Sequence, residues 1–416
     1  EALFQLQGVD NYILLAVSIA CIRGASKFRG LSLYQYISEL AGTEPQIPLP
    51  VCTLLSRCVG DPVEKQVQNI HLYPIQTISF SNAVETLLQG VDRVHKDLFT
   101  PVATIQIVET PHPVVVPAGK KGAAAAAAAA PPQPQQIVIP PQPAIPLTVP
   151  INGSLNVLKQ TLDAILKAIN VSLKNEPSML SRLKLSVDYK AQTLYKMSIP
   201  KNSKGEPIPN AEEELVYNFN GLSEASTSGS DTIDSIINQL KEYNLISFED
   251  PLHSKDIRSL RLLKERIAQT IEAWKDDSST QSDHSYSLHG IGGDEGCNVQ
   301  IIADQGYTQS EEIRQYANEA VYNAINIHFD KIFSIMKAID LCKTAHEIGW
   351  SVIISTSKYT PETIELFLSD FAVGIGSSQF IIGGIHSIEY SMKFNRIFNI
   401  ISENDSIHYA GNDFRK

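Results

Sequence analysis

Apolar residues fall along this chain in two alternating patterns. In one they recur at three- and four-residue intervals: Ala83, Leu87, Leu88, Val91 and Val94 within 81–99; Leu158, Leu162, Ile165, Leu166 and Ile169 within 156–173; Ile233, Ile236, Ile237 and Leu240 within 231–243. That spacing predicts amphipathic helices. In the other they form short unbroken runs bounded by turn formers, at 48–55, 70–75, 183–188, 245–249, 300–304, 324–328, 351–355 and 380–383, which read as buried strands. Residues 11–28 are apolar nearly all round and predict a buried helix. Shorter helices are predicted at 32–40 before Gly42, at 334–347, 361–368 and 388–402, and after the runs at 245–249 and 300–304. Strands alternating with helices argue for a parallel α/β architecture.

Two stretches break this pattern. From 111 to 150 the chain is dense in Pro and Gln, and Lys120 and Lys121 precede eight alanines at 123–130. Prolines at such density cannot enter a sheet interior and favour extended polyproline geometry, so about 110–150 reads as a projecting linker. Residues 275–296, rich in Ser, Asp and Gly, read as a mobile loop.

Composition narrows the function classes. At 416 residues the chain can bury a large core, and its formal charge of −11 argues against a general nucleic-acid binder. Five cysteines, Cys21, Cys52, Cys58, Cys297 and Cys342, show neither C-x-x-C pairing nor zinc-ligand spacing, as in a reduced intracellular protein. The most apolar stretch, 13–22, is half of what a membrane span needs. The sequence begins at Glu1, already close to a helical pattern, which leads to the expectation of further residues upstream.

The candidate chemistry lies where three strand-like runs end in a carboxylate: Asp188, Glu249 and Asp304. Consecutive parallel strands bring their C-terminal ends to one face. On a barrel, acidic oxygens converging there suit a hard divalent cation such as Mg²⁺. The same residue types are also ordinary loop and helix-cap residues, so this pattern alone leaves both readings open.

Several motifs carry a family resemblance. The segment from Gly8 to Cys21 is similar to the Gly-Ala-Asn-Ala-Ile-Leu-Ala-Val-Ser-Leu-Ala helix of enolase, and Leu31 to Tyr34 and Glu39 to Gly42 continue it. Ser247-Phe-Glu-Asp-Pro251 resembles the family's Ser-Ile-Glu-Asp-Pro, Gly349-Trp350 its Gly-Trp before a strand, and His408 to Arg415 its Lys-Phe-Ala-Gly-Arg-Asn-Phe-Arg terminus. The resemblance covers roughly 8–95 and 155–416. It implies an enolase-type β/α (TIM-like) barrel at 47–416, interrupted by the linker, after the remnant of an N-terminal helical capping domain at 1–46. The first two barrel strands should follow the enolase order rather than a plain βα repeat. The Pro/Ala insert additionally resembles that of a divergent animal enolase linked to sperm and flagella.

Enolase removes water from 2-phosphoglycerate: a base takes a proton beside a carboxylate, two Mg²⁺ ions stabilise the dianion, and an acid protonates the leaving hydroxide. The metal carboxylates carry over onto Asp188, Glu249 and Asp304, implying Mg²⁺ as cofactor, although Gln305 stands where the family has a second Asp. Other positions depart. The basic lysine falls on His328, with Lys331 three residues on; the lysine that neutralises the metal-bound carboxylate falls on Ile381; a loop histidine and glutamate fall on Gly60 and Asn69. The phosphate-gripping His-Arg-Ser corresponds to Thr356-Ser357-Lys358, making Lys358 a candidate substrate contact. No acidic residue lies between Glu109 and Asp163, where the general-acid loop belongs, and Gly293-Asp-Glu-Gly296 matches that motif in the wrong place.

Three expectations follow. The first is a catalytically weakened enolase serving as a structural or interaction subunit of a larger assembly, cytoplasmic, with a cilium or flagellum as the narrower location, with protein partners and the family's homodimer as an option but neither nucleic acid nor membrane. The second is an active phosphopyruvate hydratase using His328. The third is a superfamily dehydratase or racemase for another hydroxy acid.

Overall fold

The computed structural model describes residues 10–56, 69–98, 105–108, 135–138, 155–199, 208, 213–219, 226–243, 245–276, 299–304, 306–307, 309–355, 366–384 and 388–415. The chain divides into two compact units, 1–98 with 146–416, and 99–145. In the second, Ile105–Val108 pairs antiparallel with Gln135–Val138. The stretch read as a tether therefore includes one paired strand, whose four residues lack proline; the rest of that stretch lies outside the described residues.

Eight strands of the larger unit close into a barrel: β1 (Leu49–Ser56), β2 (Asn69–Pro74), β3 (Leu183–Asp188), β4 (Leu245–Glu249), β5 (Gln300–Ala303), β6 (Ala324–Ile327), β7 (Ser351–Ser355) and β8 (Gln379–Gly383). Their order around the ring is their order in the chain. Strand β2 runs antiparallel to both β1 and β3, and every other neighbouring pair is parallel. The expected departure from a plain βα repeat is thus present. From β3 onward the ring is built of parallel strands joined through helices, including α5 (Gly229–Glu242), α6 (Ile257–Asp276), α7 (Ser310–Asn318), α8 (Ile335–Glu347) and α9 (Phe367–Gly374). Parallel strands need such crossovers, and the crossovers aim all six C-terminal ends at one mouth.

Before β1 come α1 (Asn11–Arg29) and α2 (Leu33–Ala41); α3 (Phe80–Leu98) and α4 (Leu155–Ser172) stand between β2 and β3, and α10 (Ile388–Glu403) follows β8. Helix α1 departs from expectation: Leu14, Leu15, Ile22 and Ser26 are buried, whereas Ile13 is 57% and Phe28 92% exposed. A helix that touches its neighbours along one stripe buries only that stripe, whatever the residues opposite. Helix α2 is held more fully, because Gly374 of α9 brings the two backbones together: a Cβ there would lie 2.4 Å from the carbonyl oxygen of Tyr34. Thr43 Oγ1 also donates to the Gly374 carbonyl at 2.9 Å.

Of the helix expected at 361–368, residues 361–365 lie outside the described residues, and its last two belong to α9, Phe367–Gly374, a completely buried Phe-Leu-Ser-Asp-Phe-Ala-Val-Gly run with no amphipathic period. Most of the loop expected at 275–296 also lies outside the described residues. A three-stranded sheet, Tyr195–Ser198, Glu214–Tyr217 and Thr227–Ser228, was not expected from the sequence.

Candidate active site and cation centre

Register explains how the carboxylates meet. Asp188 and Glu249 are direct partners at the ends of β3 and β4, and Asp304 follows β5 by one residue. Period-two alternation keeps Lys184, Ser186 and Asp188 on one face of β3, as it does Ser247 and Glu249 on β4. All three carboxylates are at most 2% exposed. A fourth, Asp250, is fully buried with φ at +41°, and its Oδ1 accepts the Asp304 backbone N–H at 3.0 Å.

Each carboxylate has its own polar neighbours. Asn69 Nδ2 donates to Asp188 Oδ2 at 3.0 Å, and the Lys190 backbone N–H donates to Asp188 Oδ1 at 3.1 Å. Asn326 Nδ2 on β6 donates to Glu249 Oε1 at 2.8 Å, and Ser355 Oγ on β7 donates to Asn326 Oδ1 at 2.6 Å. Glu249 Oε2, by contrast, is buried without a hydrogen-bond partner. Asp304 Oδ1 meets two basic side chains. His328 Nε2 lies 3.1 Å away without the alignment of a hydrogen bond, and the Lys331 ammonium donates to the same oxygen.

A four-residue helical turn, Phe329–Ile332, presents those two groups together. His328 stands at its N-cap, the Lys331 N–H returns to the His328 carbonyl at 3.2 Å, and Phe333 closes the turn at φ +52°. Residues three apart share a helix face, so imidazole and ammonium project to the same side.

Charge is distributed unevenly across the mouth. Burial, reinforced by Asp188 and Asp304, raises the Glu249 carboxyl well above the ordinary range. Burial also raises Asp188, and with repulsion from Asp304 it pushes Asp250 up to about 8. At Asp304 burial pulls upward too, but the adjacent Lys331 and His328 outweigh it and hold this carboxyl well below the usual range. Asp304 is the settled anion of the group.

Other sequence-derived site residues divide plainly. Lys358 and Gly60, with Gln305 and the Gly293–Gly296 motif, lie outside the described residues. Ile381, onto which the resemblance places a lysine, is an aliphatic side chain 3% exposed on β8. Asn69 serves as a hydrogen-bond donor to Asp188. Asp250, Asn326, Ser355 and the reach of Lys331 were missed; a polar residue inside the apolar run Ala-Ile-Asn-Ile was the available signal for Asn326.

The residues fit a cation. Glu249, Asp304 and His328 offer ligand atoms all within 4.8 Å of one another, and the buried Glu249 Oε2, which has no hydrogen-bond partner among the described residues, is a donor atom that a cation could use. Oxygen with one imidazole suits a divalent ion such as Mg²⁺ or Mn²⁺.

Comparison with known proteins agrees with this geometry. Residues 279–416 match the enolase C-terminal TIM barrel domain. Enolase B of Dictyostelium discoideum is 22% identical over the whole chain and 79% of its own length. The enolase of Mastigamoeba balamuthi is 21% identical over 98% of the chain and 77% of itself, and cytosolic enolase 3 of Arabidopsis thaliana 22% identical over 97% of the chain and 67% of itself. With its antiparallel second strand, its strand-end carboxylates and these matches, the chain carries an enolase-type barrel and is similar to the enolases.

Proposed function

We propose that this enolase-like chain has weakened hydratase catalysis and serves as a structural or interaction subunit of a larger assembly. The observation that carries the reading is Ile381, buried in the barrel wall where the resemblance calls for a charged lysine. The remaining proton-transfer positions agree with it: Asn69 cannot exchange a proton at neutral pH, and the imidazole at position 328 is shorter than lysine. Losing a positioned acid or base costs roughly 10²- to 10⁴-fold each, and losses within one catalytic unit do not simply add.

Mg²⁺ remains part of this proposal. Glu249, Asp304 and His328 would hold it, with Asp188 beside them. When bound, it supplies electrostatic stabilisation of negative charge on a carboxylate substrate. Around it, Asn326 fixes the Glu249 head through Oε1, Ser355 fixes Asn326, and Asn69 fixes Asp188.

A cytoplasmic place accords with the name of the Arabidopsis relative, and no helix among the described residues is long and apolar enough to cross a membrane. The Pro/Ala insert supports the narrower likeness to the sperm- and flagellum-linked enolase, and with it a ciliary or flagellar assembly. Purified protein with Mg²⁺ and 2-phosphoglycerate should form no phosphoenolpyruvate above the protein-free control; robust turnover abolished by His328→Ala contradicts the proposal. If the insert anchors the chain, deleting 111–150 releases it from its assembly in cells, and unchanged localisation sinks that part.

One observation favours a second reading, active hydratase. His328 stands at the mouth beside Asp304, at the C-terminal end of β6, where a base would be placed. The same assay separates the two.

A further inference from the structure

We infer that Lys331 is a built-in counter-cation: its ammonium holds the side of Asp304 that a divalent ion must take, so metal binding at the mouth requires this side chain to swing out. The inference rests on the reading of Glu249, Asp304 and His328 as a cation site, and not on whether hydratase chemistry survives.

Geometry supports it from three directions. Lys331 Nζ donates to Asp304 Oδ1 and lies 3.3 Å from the Asp304 carbonyl oxygen, so it is docked on this residue twice. Asp304 Oδ1 is also the oxygen facing His328 Nε2, at 3.1 Å. A metal ion using this carboxylate and the imidazole therefore meets the ammonium in the same place. Finally, the turn Phe329–Ile332 fixes where Lys331 starts, while its side chain remains 34% exposed. A flexible four-carbon stem with a path to solvent can leave without unfolding its neighbours.

The physical logic is charge balance. Four carboxyl groups, Asp188, Glu249, Asp250 and Asp304, are buried at one end of the barrel. Buried carboxylates need protons, hydrogen bonds or a cation. An ammonium tethered by the chain itself has a high local concentration and neutralises Asp304 without any free ion. Any ion arriving from solution competes with it. The mouth can thus stay assembled free of metal, and metal affinity is set by how readily Lys331 yields.

The test is calorimetric titration of Mn²⁺ and of Mg²⁺ into the full chain, in parallel for wild type, Lys331→Met and Lys331→Arg. Lys331→Met removes the charge and keeps the apolar stem. It should bind Mn²⁺ about tenfold tighter or more than wild type, a factor equivalent to 1.4 kcal/mol. Lys331→Arg, which keeps a cation, should stay near the wild-type affinity. Equal Mn²⁺ affinity in wild type and Lys331→Met overturns the inference, as does weaker binding in Lys331→Met, which would make the lysine a helper of the metal. Should Lys331→Met fail to fold, Lys331→Gln is read in the same way. The hydratase assay can fail or succeed without moving this result, so the two ideas fall separately.

Discussion

Asp250 condenses the local physics of the mouth into one residue. Its φ of +41° is a left-handed conformation that Asp and Asn tolerate better than most side chains, and its Oδ1 holds the Asp304 N–H. Asp250→Asn keeps both properties and should cost under about 1 kcal/mol in chemical denaturation; Asp250→Ala loses both and should cost roughly 2–3 kcal/mol. The pH dependence has a definite sign. Burial lifts the folded-state value from 3.8 to about 8, so this residue's contribution is fully present below about 4 and declines as pH rises through about 8. Asp250→Asn should flatten that decline. Lys184, fully buried inside the barrel, has the opposite trend: burial, then Arg415, lower it from 10.5 to about 8. Its unfavourable contribution is complete below about 8 and disappears as pH passes 10.5. Lys184→Met should therefore stabilise the protein near neutrality, by up to about 3 kcal/mol, and remove the rise in stability between those values. Asp188, Glu249 and Asp304 were legible in the sequence because each ends an apolar run. Lys331 was not, because its approach depends on a four-residue turn closed by a left-handed Phe333.

At the scale of elements, the contact between α2 and α9 depends on a missing side chain. Gly374→Ala would drive a methyl group to within 2.4 Å of the Tyr34 carbonyl oxygen, a backbone atom that cannot rotate aside. Thermal unfolding should show a loss of roughly 1–3 kcal/mol. Gly24 is the contrasting case. It lies inside α1 with nothing within 4 Å of an added Cβ, and Gly24→Ala should stabilise by about 0.5–1 kcal/mol through helix propensity alone. The elements themselves were largely readable, because runs such as Ser351–Ser355 carry a clean buried pattern and α4 and α5 carry a clear helical one. The part of α9 beyond Leu368 escaped because this helix is buried on every side, which erases the periodicity that marks a helix. Burial of α1 was overestimated for the converse reason: apolar residues around a whole helix do not say which stripe finds a neighbour. The small sheet formed by Tyr195–Ser198, Glu214–Tyr217 and Thr227–Ser228 was missed because two of its strands are four residues long and the third only two.

Over the whole molecule, the barrel and its chemistry have separate origins in the sequence. Apolar periodicity gave parallel α/β architecture, whereas the antiparallel β2 followed from family resemblance alone, since strand direction leaves no trace in a short apolar run. Barrel closure then places Asp188, Glu249 and Asp304 at one mouth whether or not catalysis survives. What distinguishes an enzyme from a scaffold is the proton-transfer set around them, and the proposed reading rests on Ile381, Asn69 and a His328 beside Asp304 standing where the resemblance places that set. The most direct measurement follows the first chemical step by itself: exchange of the C2 proton of 2-phosphoglycerate for deuterium, observed by NMR in D₂O with the full chain and Mg²⁺. Weakened base chemistry should give an exchange rate indistinguishable from the protein-free control. Rapid exchange that disappears in His328→Ala would contradict it and make this mouth a working active site.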